Sequence, residues 1–102
     1  MPDFHNESTE RLFRTIAAIN SPEECRAFFE DLCTIREIQD MSQRFDTAIL
    51  LSKGYSYQKI AEKYSISTAT ISRVNRCLAY GDGGYKTAIK KLEETENAND
   101  NK

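Results

Sequence analysis

The chain has no tryptophan, one histidine, two prolines and four glycines among its 102 residues. It also has no apolar run near the roughly 20 residues that a bilayer span requires. Its opening decapeptide, MPDFHNESTE, lacks the basic-then-apolar order of a signal peptide. A cytoplasmic protein that does not associate with membranes is therefore expected. The three cysteines, Cys25, Cys33 and Cys77, are odd in number, widely spaced and never in a CxxC pair. With His5 as the lone imidazole, no cluster of metal ligands can be drawn from the sequence. Free thiols packed as small apolar groups in a reducing compartment are expected, and no cofactor.

Catalytic patterns are equally scarce. There is no Cys–His, Ser–His or paired-carboxylate arrangement at a chemically useful spacing, and Glu23–Glu24 reads as part of a helix cap. GDGGYKT, residues 81–87, resembles a phosphate loop only superficially. Tyr85 separates Gly84 from Lys86, where the motif needs glycine and lysine adjacent, and no strand precedes it. The segment reads as a turn, and an enzyme is not expected.

What is present is an uneven distribution of charge. The net charge is −2. Residues 53–91, however, hold eight basic side chains (Lys53, Lys59, Lys63, Arg73, Arg76, Lys86, Lys90 and Lys91) against Glu62 and Asp82, a local +6. The remainder holds six basic and fourteen acidic residues, a local −8. Attraction of a polyanion depends on the local field, so the acidic total does not exclude nucleic acid.

Periodicity predicts six helices and no strand, an all-α chain. The first covers about residues 7–19, with Leu12, Phe13, Ile16 and Ile19 at helical spacing. The second opens at S-P-E-E, with Ser21 as cap, Pro22 at the first helical position and Glu24 reaching back. A second capping box, T-I-R-E, starts the third helix at Thr34. That helix is expected to run to Lys53, burying Ile38, Met41, Phe45, Ala48 and Ile49, and to stop at Gly54. Ser56 and Ser67 cap the fourth and fifth helices, and a sixth runs over about residues 85–94. The polar stretch 95–102 has nothing to bury and is expected to be disordered. Residues 1–94 thus form one domain, with residues 7–53 as dimerisation helices and residues 56–80 as the functional unit. So thin an architecture would expose Phe13, Phe28 and Phe29, so interlocking of the N-terminal helices in a homodimer is expected. Closure of a monomeric bundle is the alternative.

SYQKIAEKYSISTATISRVNR, residues 56–76, carries the functional signal. Ile60, Ala61, Tyr64, Ile66, Ile71 and Val74 provide the apolar skeleton on which two short helices cross as a helix-turn-helix. Ser65 stands at a turn position that favours a left-handed backbone, usually glycine. The second helix would expose Ser67, Thr68, Ala69, Thr70, Ser72, Arg73 and Arg76, with small groups first and long cations later. Hydroxyl residues are mediocre helix formers. Small side chains at a helix N-terminus nevertheless allow approach to base edges, and arginines beyond them hold phosphates. Gln58 and Lys59 of the first helix complete the predicted DNA-binding set. A helical hairpin serving as a protein-interaction adaptor, without specific DNA binding, is the alternative.

GYSYQKIAEKYSISTATISRVNRCLAYGDGGY, residues 54–85, resembles the Trp-repressor superfamily, most closely its YerC/YecD-type branch. A-T-I-S-R, Ala69 to Arg73, is the most specific part, and the likeness extends over about residues 7–94. It implies a Trp-repressor-like intertwined helical dimer that acts as a transcriptional regulator, a repressor, with two reading heads in successive major grooves. In tryptophan-responsive members an arginine after T-I-[ST] covers the indole, and a glycine next to it makes room. Arg73 matches that arginine, but Val74 replaces the glycine. A second sandwiching arginine would fall at Gln43, with Arg44 one residue, and so about 100° around the helix, away. Any effector pocket would draw on Arg44, Arg73 and Cys77, and L-tryptophan is not expected to be its ligand.

Overall fold

The computed structural model describes residues 5–100, and side chains through residue 97. It contains six helices: α1 (Glu7–Ala18), α2 (Pro22–Leu32), α3 (Ile35–Ser52), α4 (Tyr57–Tyr64), α5 (Thr68–Tyr80) and α6 (Gly84–Asp100). There is no strand among the described residues. The chain divides into two compact units, residues 1–38 and 39–102.

Local hydrogen bonds set where the helices of the first unit begin. Asn6 accepts from the Thr9 amide at 2.9 Å while Thr9 Oγ1 accepts from the Asn6 amide at 3.1 Å, a reciprocal cap that suits the first turn of α1. Ser21 Oγ accepts from the Glu24 amide at 3.1 Å, with Pro22 at the first helical position where its missing N–H costs nothing. Glu24 was expected to reach back as well, but only the serine half of that box forms. Thr34 and Glu37 form both halves of theirs, at 3.1 and 2.8 Å. The Thr34 amide and hydroxyl hold the Glu37 carboxyl below its ordinary value by favouring its charged form.

Neither α1 nor α2 contains a buried residue. Phe13 is 47% exposed and Leu32 50% exposed, and Phe28 and Phe29 meet edge to face at 5.8 Å while remaining only half-buried. The apolar stripes that predicted these helices are therefore left largely uncovered within one chain.

The second unit has two small adjoining cores. Ala48, Val74 and Ile89 form one, flanked by Phe45, Ile49, Leu78 and Tyr85. Leu50, Ile60 and Ile71 form the other, flanked by Ala61, Tyr64 and Ile66. All six skeleton positions of the predicted helix-turn-helix lie in these clusters. On α3, Ala48 is buried as expected, but Thr47 and Leu50 are buried too, whereas Ile38 and Met41 are only half-buried. One helix serving two clusters buries a wider sector than a single stripe suggests. Thr47 tolerates burial because its hydroxyl donates to the Gln43 carbonyl at 2.7 Å.

Gly54, at φ +87°, ends α3. The sixth helix differs from expectation. It does not give way to a disordered tail at residue 95 but continues to Asp100. The stretch contains no proline or glycine, and Thr95 Oγ1 donates back to the Lys91 carbonyl at 2.9 Å, so local bonding sustains the helix without burial. The expectations for residues 1–4 and for 101–102 fall outside the described residues.

Candidate nucleic-acid interface

α5 packs on both α4 and α6. Ser56 caps α4, its Oγ accepting from the Lys59 amide at 3.2 Å. Gln58 and Lys59 are exposed; Gln58 Nε2 donates to Glu62 Oε1 at 3.4 Å. Near the end of the helix the Lys63 ammonium lies 5.8 Å from the Tyr64 ring centroid. Burial and then the Asp46 carboxylate push the Tyr64 hydroxyl above its ordinary value, because a proton kept on the phenol can be donated to Asp46. The turn passes through Ser65 at φ 55°, ψ 42°, the one non-glycine residue with positive φ among the described residues. This is the left-handed geometry expected at that position.

The four hydroxyls of α5 and its cap divide into two pairs. Ser67 Oγ accepts from the Thr70 amide at 3.1 Å and lies 3.0 Å from Thr70 Oγ1. Thr70 is half-buried, unlike the rest of its predicted set. Ser67 and Thr70 therefore secure the helix start, which offsets the poor helix propensity of this segment. Thr68 and Ser72 are exposed, with Ala69, Arg73 and Arg76. At about 100° per residue these five occupy a sector of roughly 140° opposite Ile71, Val74 and Leu78. The structure thus brings Thr68, Ala69, Ser72, Arg73 and Arg76 onto one open face, graded from small to long, and turns Thr70 away from its centre.

No carboxylate among the described residues pairs with Arg73, Arg76, Lys53 or Lys59. These cations are therefore available to an external anion. The predicted effector residues behave differently. Arg44, Arg73 and Cys77 are all exposed, yet no hydrogen bond among the described residues joins them. Cys77 instead lines a hollow of about 410 Å³ with Gly81, Asp82, Gly84 and Tyr85. Val74, in place of a pocket-making glycine, is 2% exposed within the first core.

Three aromatics were not anticipated. Tyr55 and Tyr57 stand exposed at the start of α4, where Lys53, Gly54, Tyr55, Ser56 and Lys59 line a hollow of about 350 Å³. Tyr80 is exposed at the end of α5. The interleaving in K-G-Y-S-Y-Q-K and the four-residue step from Arg76 to Tyr80 were both legible signals. No group of residues that could hold a metal ion occurs among those described, and none of their helices is long and apolar enough to cross a membrane.

Comparison with known proteins agrees with this geometry. Residues 7–93 match the Trp repressor protein family. The chain is 46% identical over 93 residues to the uncharacterized protein YerC of Bacillus subtilis, covering 91% of this chain and 89% of that one. It is 33% identical over 75 residues to a Trp operon repressor homolog of Chlamydia caviae, covering 72% and 74% of the two chains. The crystal structure of a TrpR-like protein from Eubacterium eligens superposes with a TM-score of 0.83 at 46% identity, covering 87% of this chain and 92% of that one. With its helix-turn-helix, its unpaired arginines and these likenesses spanning most of its length, the chain belongs to the Trp repressor family, a family of helical DNA-binding regulators.

Proposed function

We propose that the protein is a sequence-specific transcriptional regulator, a repressor, that reads the major groove with α5. The observation that carries this reading is the open face of α5: Thr68, Ala69 and Ser72 beside the unpaired Arg73 and Arg76. Small side chains near the helix N-terminus leave room for base edges and can bond to them or contact a thymine methyl. Arg73, Arg76 and Lys59 reach the phosphates, displacing counterions and setting the register. Ser67 and Thr70 act by holding the helix start, and Gln58 faces the backbone from α4. The printed name of the Chlamydia relative, a repressor homolog, supports the direction of regulation. An enzymatic role has no support from the residues present.

The working unit in this reading is a homodimer. The uncovered faces of α1 and α2, with Phe13, Phe28 and Phe29, supply apolar area for a second copy. Two symmetric heads would then read a palindrome with half-site centres about 34 Å apart. L-tryptophan is not the effector, since the buried Val74 side chain fills the space that an indole would need.

Selection of bound sites from a random duplex pool tests the proposal. It should return a palindrome that the chain prefers over random duplex. If the chain retained duplexes only without preference, or not at all at low salt, the adaptor alternative would replace this reading.

A further inference from the structure

Tyr80 is 88% exposed, more than any other large apolar side chain that the structure describes as exposed. A tyrosine left so bare at the end of a helix gains nothing from burial within its own chain. Its position on α5 is well defined. It continues the four-residue ladder Thr68, Ser72, Arg76, and lies within about 20° of Arg73 around the helix. Gly81 ends the helix just beyond it: the Gly81 amide donates to the Cys77 carbonyl at 2.8 Å, and a Cβ at position 81 would overlap that same carbonyl. The ring therefore stands in the last helical turn, one turn past Arg76.

Geometry and charge together choose its occupant. From Thr68 to Tyr80 the helix rises about 18 Å, whereas the major groove is about 12 Å wide. If the helix start meets base edges, its last turn lies beyond the groove, where a sugar-phosphate strand passes. Arg73 and Arg76 share the face and lack carboxylate partners, so the patch complements an anion and would repel the same face of a second copy. Resting on the DNA-reading role of α5, we propose that Tyr80 docks on the DNA backbone at the groove edge, its hydroxyl donating to a phosphate oxygen. Its contribution is to affinity and register, independent of base sequence.

The test measures anisotropy of labelled duplexes, one random and one selected as the preferred site, over a series of salt concentrations. Wild type is compared with Tyr80→Phe, Tyr80→Ala and Arg76→Ala, with circular dichroism confirming helix content. Removing the hydroxyl in Tyr80→Phe should weaken both duplexes equally, by about tenfold or more, the scale of a hydrogen bond to a charged acceptor. It should leave the salt slope unchanged, because a neutral donor displaces no counterion. Arg76→Ala should flatten that slope by about one. Equal affinities for Tyr80→Phe and wild type would overturn the proposal while leaving the reading role of α5 intact. Weakened self-association of free Tyr80→Ala with undiminished DNA affinity would also overturn it, and would assign the ring to a second copy. A wild-type chain that binds neither duplex at low salt would refute both the reading role and the Tyr80 contact. Should Tyr80→Ala fail to fold, the conservative Tyr80→Phe still decides.

Discussion

Replacing Ser65 by glycine should stabilise the protein, although glycine usually weakens a fold. Ser65 sits at φ 55°, ψ 42°, between the last residue of α4 and the approach to α5. Holding an L-residue in that region costs roughly 1–2 kcal/mol, from Cβ crowding against the following carbonyl. Glycine removes that cost but frees the unfolded chain, which returns roughly 0.5–1 kcal/mol. Ser65 is exposed, and no hydrogen bond among the described residues engages its hydroxyl, so little else is lost. The balance favours Ser65→Gly by about 0.5–1 kcal/mol, or about 4 °C in Tm for a chain of this size. Ser65→Val should move the opposite way, because a branched Cβ is still worse in the left-handed region. Thermal melts at fixed protein concentration would measure both, fixed because association shifts the apparent Tm. DNA affinity should not change, since glycine preserves the turn. A Ser65→Gly protein no more stable than wild type, together with a tolerated Ser65→Val, would refute the left-handed turn and the crossing of α4 and α5 built on it.

The remaining predictions separate the hydroxyls and examine the first unit. Ser67→Ala should cost about 1 kcal/mol of stability through the lost cap, whereas Thr68→Ala and Ser72→Ala should leave melting unchanged but alter one base preference by about 1–3 kcal/mol each in binding-site selections. Thr70→Ala should follow the Ser67 pattern, with unaltered base preference, because its hydroxyl is committed to Ser67. Phe28→Asp should abolish the dimer expected in sedimentation at micromolar concentration, and folding with it; a folded, monomeric wild-type chain would contradict the interlocked assembly. Glu37 has a folded pKa below its ordinary 4.5, so its cap contributes stability above that value, which disappears as pH falls through the lowered one. Melts of wild type should therefore lose more stability on acidification from pH 6 than melts of Glu37→Gln.

What was legible in the sequence was mostly local. Capping residues and i, i+4 repeats depend on neighbours along the chain, so Ser21, Thr34, Ser56 and Ser67 each mark a helix start correctly. Ser65 was legible for the same reason, since a turn between two crossing helices needs a particular backbone conformation whatever residue occupies it. The misses depend on the surroundings. Leu50 and Thr47 are buried because α3 faces two clusters at once, which no single stripe reveals. The length of α6 was underestimated because burial was taken as a requirement for helix, whereas helix-forming residues and a threonine back-bond extend it. Thr70 was placed with the reading face by its residue type, although about 200° of helical rotation separates it from Thr68. Tyr80 was missed by the opposite error. An aromatic near a glycine-rich turn suggests packing, and only its 88% exposure shows that it packs on nothing.

The same helix bears on what the protein can sense. Val74 follows Arg73 where tryptophan-responsive members of the resembling family have glycine, and its side chain is buried among Ala48 and Ile89. It is therefore part of the core that ties α5 to α3 and α6. An indole could enter beside Arg73 only if that valine moved, and moving it would open the first core. Removing the side chain as Val74→Gly should cost on the order of 3 kcal/mol, from the cavity and the glycine within a helix. The position cannot become a ligand pocket without loss of much of the small stability available to a domain of this size. Calorimetry with L-tryptophan on the wild-type chain should accordingly show no binding up to millimolar concentration, and operator affinity should be the same with and without it. A micromolar dissociation constant would mean that Val74 leaves the core at little cost, and would refute this account of how α5 is held.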